Sequence, residues 1–485
     1  MAWTGAGRVI LMLVGIGSVA VMARLLTAEE YGVFAAAMIF IGIVKSGLVQ
    51  AGFPSSVIQL QDLTPIHVRN AFTGMLILHL LAAALIWAGS DLIASFFDMA
   101  DLAAILRALC VTILLNPVLA LSVALLKRRK RFRLLAATEV IASTFANTAV
   151  AIALAWAGFG VWSLVVSNIT WNLAQTLITF AVARFSLIPA ITSHMRDLLK
   201  MSLGMTLFGA LAVFTSQAAK FVVGRLLGAD ALGVFNRTNR VLDFPKALLG
   251  SSHVLFPVLA DMNNDKARMA RGYLRSIALC SLAAAPLTVL LCHGAEGLVL
   301  LLLGQRWAAA VEPVAILSLG LALGLGNQVA IAVFMALART RELVIRQSVY
   351  AVLVIAGSLI GSRWGLSGVC AGILASTFVS YLLSVHLANR LMSVDAAAFL
   401  KANCPALLLA LPVAIVLIAG ERLIWHDLPA TLQFPIEAAV TGLVVYATGI
   451  ARPRWFLGPD GIWLLGEVRR HLPSRLRILL PEAQA

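Results

Sequence analysis

The sequence predicts an all-α integral membrane protein with about fourteen transmembrane helices. Three observations lead to this prediction. The 485 residues are 61% hydrophobic and only 12% charged, whereas a soluble domain is nearer half apolar and a quarter charged. The apolar residues fall in stretches long enough to cross a bilayer as helices. An eleven-residue segment at 24–34 is nearly repeated at 225–235, which indicates an internal duplication.

Hydropathy over a window of about 19 residues defines the predicted spans, which short polar turns with glycine or proline separate. The spans are 3–25, 32–53, 70–95, 102–126, 134–157, 160–183, 201–224, 233–258, 272–292, 312–337, 344–362, 365–388, 403–420 and 433–450. The first is predicted to be a retained helix, because its apolar stretch is long for a signal peptide. The five cysteines show no pairing or metal spacing, so we expect small buried side chains.

The loop charges predict the orientation of the chain in the membrane. With the N-terminus in the cytoplasm, the inward loops and the tail hold 25 lysines and arginines, Arg346 among them, and the outward loops hold 5. Positive residues concentrate on the cytoplasmic side of membrane proteins. We therefore expect both termini in the cytoplasm and no role for nucleic acid as a partner.

The repeat predicts how the helices are organised. "RLLTAEEYGVF" and "RLLGADALGVF" share seven of eleven residues, and each joins the first two helices of a six-helix set. Six helices separate the copies, so both face the same way, as in a parallel repeat. The predicted organisation is an N-terminal lobe at 1–183, a cytoplasmic linker at 184–200, a C-terminal lobe at 201–388, two additional helices at 403–450 and a basic tail at 451–485. The tail segment 461–481 is either an interfacial amphipathic helix or unstructured.

Ionisable residues inside the spans are the candidate functional residues, because each is costly in a membrane without a partner. The candidate binding residues form a cationic set: Lys45, Arg237, Arg240 and Lys246. Asp243 and Glu139 are candidates for ion coupling or for a structural pair. Lys45 and Lys246 lie 201 positions apart, at equivalent places in the two copies, and are predicted to face one another. The alternative is that Lys246 pairs with Asp243.

Catalysis and cofactors are not predicted. The sequence has no Gly-rich phosphate loop, no metal-ligand spacing and no GxSxG. His79, His253 and His386 are single histidines on apolar helices, where a structural hydrogen bond is the usual role. The segment "KRRKRF" at 127–132 is either a solvated cytoplasmic patch or a site that gathers anionic head groups.

Three segments resemble a known family. "ARLLTAEEYGVF", "NPVLALSVALLKRRKRF" (116–132) and "GFGVWSLVV" (158–166) are similar to the polysaccharide transporters of the MOP flippase superfamily, the Wzx-type branch. The resemblance covers roughly residues 1–400. It implies a two-lobed V-shaped transporter of the MATE and MOP type in the bacterial inner membrane. The implied cargo is a polyprenyl-diphosphate-linked oligosaccharide for exopolysaccharide or lipopolysaccharide synthesis, with membrane lipids, a polymerase and chain-length proteins as further partners.

Three alternative functions belong to other classes. A drug antiporter of the same superfamily would favour buried carboxylates, whereas buried bases dominate here. A lipid II flippase shares the fourteen-helix plan and is not excluded by charge. A membrane polymerase or ligase would need large periplasmic loops, and the longest predicted outward loop is 293–311.

Overall fold

The computed structural model describes residues 2–48, 52–192, 195, 203–249 and 265–471. Every regular element in these ranges is helical. The α-helices are α1 (Ala2–Leu25), α2 (Ala28–Gly42), α3 (Phe53–Gln59), α4 (Pro65–Phe97), α5 (Leu102–Arg128), α6 (Phe132–Ala142), α7 (Val150–Trp156), α8 (Val161–Ala183), α9 (Leu203–Leu226), α10 (Gly228–Leu249), α11 (Lys266–His293), α12 (Ala295–Leu302), α13 (Val311–Ala336), α14 (Thr340–Gly361), α15 (Gly365–Met392), α16 (Ala396–Gly420), α17 (Ala430–Ala451), α18 (Pro453–Phe456) and α19 (Gly458–His471). The predicted all-α fold class is confirmed.

Several helices continue into a π-helical turn. These segments are Ile43–Leu48 after α2, Ser143–Ala149 between α6 and α7, and Glu421–Trp425 after α16. A π turn widens the backbone ring by one residue and is common at functional sites. Hydropathy carries no signal for such a turn, so the sequence predicted plain helices at 43–48 and 143–149 and a loop at 421–425.

The predicted spans agree with the helices. Each of the fourteen overlaps a helix. Within the described residues, eight helical stretches are long and apolar enough to cross a membrane, the longest being Thr340–Met392 with 53 residues. That stretch contains a short 3₁₀ turn, Ser362–Trp364. The chain is thus a multi-pass membrane protein, and the total of fourteen spans stays a prediction.

The chain divides into two compact units. The first comprises Met1–Arg237, Leu302–Trp307 and Ala351–Val369, and the second comprises the remaining residues. In the first, α5 packs against α4 and α8, and α2 packs against α5 and α8. A core that includes Phe53, Met75 and Leu121 joins α3, α4 and α5.

The first unit also brings the two copies of the repeated segment into contact. A Cβ atom built on Gly32 would lie 1.8 Å from the carbonyl oxygen of Ala229. A Cβ atom built on Gly233 would lie 1.8 Å from the carbonyl oxygen of Ala28. Residues 28 and 32 correspond to 229 and 233 in the repeat, so the contact is reciprocal. The two helices approach this closely because both positions lack a side chain.

In the second unit, α11 packs against α13 and α16, and α16 packs against α17. The amphipathic α19 packs on α11, where Arg275 Nε donates to Asp460 Oδ1 at 2.8 Å. The guanidinium of Arg275 also lies 4.5 Å from the ring centroid of Trp463. The first part of the predicted tail helix is therefore helical and docked, whereas 472–485 lie outside the described residues. Its position at the membrane surface stays a prediction.

Candidate functional site

A cavity of about 540 Å³ lies within the first unit, among α2, α3, α5, α6 and α8. Its apolar wall comes mainly from α2 and α5. Its polar lining consists of Lys45, Ser55, Asn116, Lys127, Glu139, Asn168, Trp171, Asn172 and Gln175. Two of the sequence-predicted site residues, Lys45 and Glu139, are therefore brought to one cavity.

Lys45 lies in the π turn that follows α2. Its ammonium group donates to Asn172 Oδ1 at 2.5 Å. The Asn172 amide in turn donates to the backbone carbonyl of Asn168 at 2.8 Å and to Asn168 Oδ1 at 3.1 Å. Within the described part of the chain, no carboxylate forms an ion pair with Lys45. A half-buried positive charge thus lines the cavity, and its partner among the described residues is a neutral amide.

The side chain of Asn116 is held in place by a hydrogen bond with His79. The Nδ1 atom of His79 lies 2.6 Å from the Met75 carbonyl, and its Nε2 atom lies 2.9 Å from the Asn116 amide nitrogen. If Nδ1 donates to the carbonyl, Nε2 is the acceptor for the Asn116 amide. Both side chains are almost fully buried. His79 therefore has the structural role predicted for it, and it orients a cavity amide.

The amides of α8 were missed by the sequence analysis, which considered charged residues alone. Asn168, Asn172 and Gln175 follow at i, i+4 and i+7, so they share one face of the helix. Trp171 lies beside them, and its indole Nε1 is buried without a hydrogen-bond partner among the described residues. The polar face of "SNITWNLAQT" (167–176) at helical spacing is the signal that identifies them.

The cavity extends to Lys127 at the end of α5 and to the exposed Glu139 on α6. The neighbouring arginines of this basic segment have structural partners. Arg128 donates to the backbone carbonyls of Val57, Ile58, Leu60 and Gln61 at the end of α3. Arg129 donates to the Ala183 carbonyl at the end of α8. These two arginines hold helix ends. Arg129 is nevertheless exposed, and both interpretations of the basic segment stay predictions.

Arg237 lies elsewhere in the first unit. It is 7% exposed, and its guanidinium carbon is 3.4 Å from the ring centroid of Tyr31. Tyr31 packs edge-on against Trp307, and the Trp307 indole donates to the Ala23 carbonyl at 2.8 Å. Arg237 does not line the 540 Å³ cavity. The cation–π contact gives it a packing role, and its predicted binding role stays a prediction.

Arg240, Asp243 and Lys246 belong to the second unit. Lys246 Nζ lies 3.9 Å from Asp243 Oδ1, and the two side chains are 44% and 55% exposed. This is the pairing that the sequence left open as the alternative to binding. Arg240 is exposed, with its guanidinium 6.0 Å from the Phe244 ring centroid. The predicted pairing of Lys45 with Lys246 across a cavity stays a prediction.

One buried cation was assigned wrongly. Arg346, counted with an inward loop, is 1% exposed within α14 of the second unit. It donates to Asn327 Oδ1 at 3.2 Å, to Ser380 Oγ at 3.2 Å and to Gln347 Oε1 at 2.7 Å. The guanidinium thereby joins α13, α14 and α15 through neutral oxygens. Its place near a helix start made it resemble a loop charge.

The cavity combines groups that suit an anionic, hydroxyl-rich ligand. An ammonium group without a carboxylate partner attracts a phosphate or another anion. Side-chain amides can donate to and accept from hydroxyl groups at once. A tryptophan supplies a flat apolar face with one donor at its edge.

Comparison with known proteins identifies the family. The model of a family described as "Polysaccharide biosynthesis protein" matches residues 21–312. The chain belongs to this family. The matched residues include the whole lining of the cavity, from Met38 to Gln175. The resemblance predicted from the sequence is confirmed.

Two curated relatives have names of the same kind. The chain is 27% identical over 307 residues to the succinoglycan biosynthesis transport protein ExoT of Rhizobium meliloti (strain 1021), covering 62% of this chain and 61% of the relative. It is 22% identical over 337 residues to the teichuronic acid biosynthesis protein TuaB of Bacillus subtilis (strain 168), covering 65% and 66%. The chain thus spans just under two thirds of the length of these relatives.

A solved structure shows the same fold. The lipid II flippase MurJ in an inward closed conformation matches with a TM-score of 0.77 and 14% sequence identity, covering 93% of this chain and 99% of that one. At this identity, the match establishes the architecture of this polysaccharide biosynthesis protein and not its cargo.

Proposed function

We propose that this protein is a flippase that moves a polyprenyl-diphosphate-linked oligosaccharide across the bacterial inner membrane. The transported oligosaccharide is used for exopolysaccharide or lipopolysaccharide synthesis. The observation that carries the proposal is Lys45, an ammonium group in a π turn that lines an amide-rich cavity and that, among the described residues, has Asn172 as its hydrogen-bond partner. The names of the relatives support the same function.

The diphosphate is the part of the cargo that Lys45 suits. A phosphate binds an ammonium group through a charge-assisted hydrogen bond, which is about twice as strong as a neutral one. Lys127 at the end of α5 adds a second positive charge to the same cavity. Glu139, which is exposed, adds a negative charge to it. Arg237, Arg240 and Lys246 do not line this cavity, and they remain candidate binding residues.

The oligosaccharide is the part that the α8 face suits. Asn168, Asn172 and Gln175 offer both donors and acceptors to sugar hydroxyls. Trp171 lines the cavity and offers an apolar face on which a sugar ring can pack. A drug antiporter would instead favour a buried carboxylate, and the carboxylate in this cavity, Glu139, is exposed.

The proposed orientation places both termini in the cytoplasm, as the loop charges predict. Cysteines introduced one at a time between α4 and α5, at 98–101, should react with an impermeant label from the periplasm. Cysteines at 127–133 should react only after the membrane is opened. The opposite pattern at either site would rule out this orientation. A polysaccharide polymerase and chain-length proteins are the proposed partners on the periplasmic side of the membrane.

Deletion of the gene tests the cargo directly. We expect a lipid-linked oligosaccharide to accumulate in the cytoplasmic leaflet, and export of one polysaccharide to stop, because the unit is made but not moved. Mass spectrometry of the extracted lipids identifies it. Accumulation of a peptidoglycan precursor would instead support a lipid II flippase, and hypersensitivity to cationic drugs with normal polysaccharide would support an antiporter.

A further inference from the structure

Three ionisable side chains meet in the second unit, far along the chain from the residues of the cavity. His293 is the last residue of α11, Glu421 opens the π segment after α16, and Glu437 lies in the second turn of α17. His293 Nε2 is 3.4 Å from Glu421 Oε2 and 3.7 Å from Glu437 Oε1. The side chains of His293, Glu421 and Glu437 are 19%, 55% and 4% exposed.

Close packing of α17 keeps Glu437 buried. A Cβ atom built on Gly294 would lie 2.3 Å from Glu437 Oε2, and one on Gly297 would lie 2.7 Å from the Ala430 carbonyl. The carboxylate therefore occupies space that a side chain at position 294 would fill. Oε2 has no hydrogen-bond partner among the described residues, nor has Thr441 Oγ1 one turn further along α17. An apolar cluster that includes Leu290, Leu417 and Trp425 packs beside the group.

A buried carboxylate needs a nearby cation or a proton. Among the described residues, the charged groups that act on Glu437 are His293 and Glu421. Glu296 on α12 and Arg422 in the π segment are exposed, and in the described part of the chain neither forms an ion pair with His293 or Glu437. The counter-charge for Glu437 is therefore an imidazole, which is positive only when protonated.

One proton thus decides the electrostatic state of the group. With His293 protonated, a cation lies between two carboxylates and Glu437 is paired. With His293 neutral, Glu437 must take up the proton itself or remain as a buried charge beside another negative charge. A buried, unprotonated Glu437 beside a second carboxylate costs the most free energy. A proton held by either His293 or Glu437 avoids that arrangement.

We propose that His293 and Glu437 form a proton-binding site that joins α11 to α17, and that this proton is the coupling ion of the transporter. The coupling role rests on the proposed function, whereas proton binding does not. The additional pair of helices, α16 and α17, thereby acquires a role, since α17 and the π segment after α16 each supply a carboxylate to the site. Glu421 is exposed and gives the proton a polar path to the buried pair.

The pH dependence of thermal stability tests proton binding without any transport assay. In the purified full-length protein, we expect the melting temperature to fall as pH rises, because loss of the shared proton leaves Glu437 as a buried negative charge without a cation. Glu437→Gln keeps the shape and removes the buried charge, so its profile should be flatter than that of the wild type. Glu296→Gln is the matched control, because Glu296 is exposed and forms no ion pair with His293 or Glu437 in the described part of the chain, and it should keep the slope.

The infrared carboxyl band of the wild-type protein provides a second measurement if Glu437→Gln does not fold. A pH-dependent band that is absent from His293→Gln would support a shared proton. A Glu437→Gln profile as steep as that of the wild type, or a slope lost entirely in Glu296→Gln, would overturn the site. Export at wild-type level by a folded Glu437→Gln protein would overturn the coupling role alone. An absence of polysaccharide export by the wild-type protein would instead count against the proposed function.

Discussion

Replacement of Lys45 by alanine is expected to reduce polysaccharide export by about 10- to 100-fold. A charge-assisted hydrogen bond contributes about 1.5–3 kcal/mol, and each 1.4 kcal/mol corresponds to about a factor of ten in binding. The measurement is exported polysaccharide per cell, normalised to the amount of the protein in the membrane. The amount of protein should stay near that of the wild type, because Asn172 loses only one of its hydrogen bonds and no carboxylate is left unpaired.

Lys401→Ala is the matched control for this experiment. Lys401 is an exposed lysine in the first turns of α16, so its removal changes the net charge equally and should leave export unchanged. Lys45→Gln should behave like Lys45→Ala, since the amide can replace the hydrogen bond to Asn172 but not the charge. Normal export from Lys45→Ala, or an equal loss from Lys401→Ala, would contradict a binding role for Lys45.

Replacement of Gly32 or Gly233 by alanine is expected to prevent stable folding. The new Cβ atom would lie 1.8 Å from a backbone carbonyl oxygen in either case, so the two helices would have to separate by more than about 1 Å. Overpacking of a core typically costs about 1–3 kcal/mol, and a backbone carbonyl cannot turn aside as a flexible side chain can. The amount of folded protein in the membrane and its melting temperature are the measurements.

Gly89→Ala on α4 provides the comparison for both glycine variants. A Cβ atom built on Gly89 meets nothing within 4 Å, and alanine is the better helix former by about 1 kcal/mol. This variant should accumulate as well as the wild type. Equal stability of Gly32→Ala and Gly89→Ala would show that the close contact does not constrain the fold.

The sequence predicted the helices better than it predicted the turns between them. The span predicted at 102–126 corresponds to α5, Leu102–Arg128, and the span at 160–183 to α8, Val161–Ala183. Hydropathy identifies membrane helices because an apolar segment in the bilayer must satisfy its backbone hydrogen bonds internally, which a helix does. The π turn at Ile43–Leu48 depends instead on packing against α9, and a single helix carries no pattern that predicts it.

The candidate site was predicted in part. Lys45 and Glu139 were identified because a charge in an apolar span is conspicuous. Asn172 and Gln175 were missed because amides are common on such helices and cost less to bury. Arg346 was missed for another reason: three helices of the fold bury it, and its position near the start of α14 gave no sign of them.

The contact between Gly32 and Ala229 bears on the origin of the duplication. All four residues of the reciprocal contact, Ala28, Gly32, Ala229 and Gly233, are among the positions that the two copies share. A surface that meets its own copy through identical residues is self-complementary, which is the defining property of an interface in a symmetric dimer. A single ancestral half could therefore have paired with a second molecule of itself through "AEEYGVF" before the two were joined in one chain. Fusion would then have made permanent an association that was already present between separate subunits.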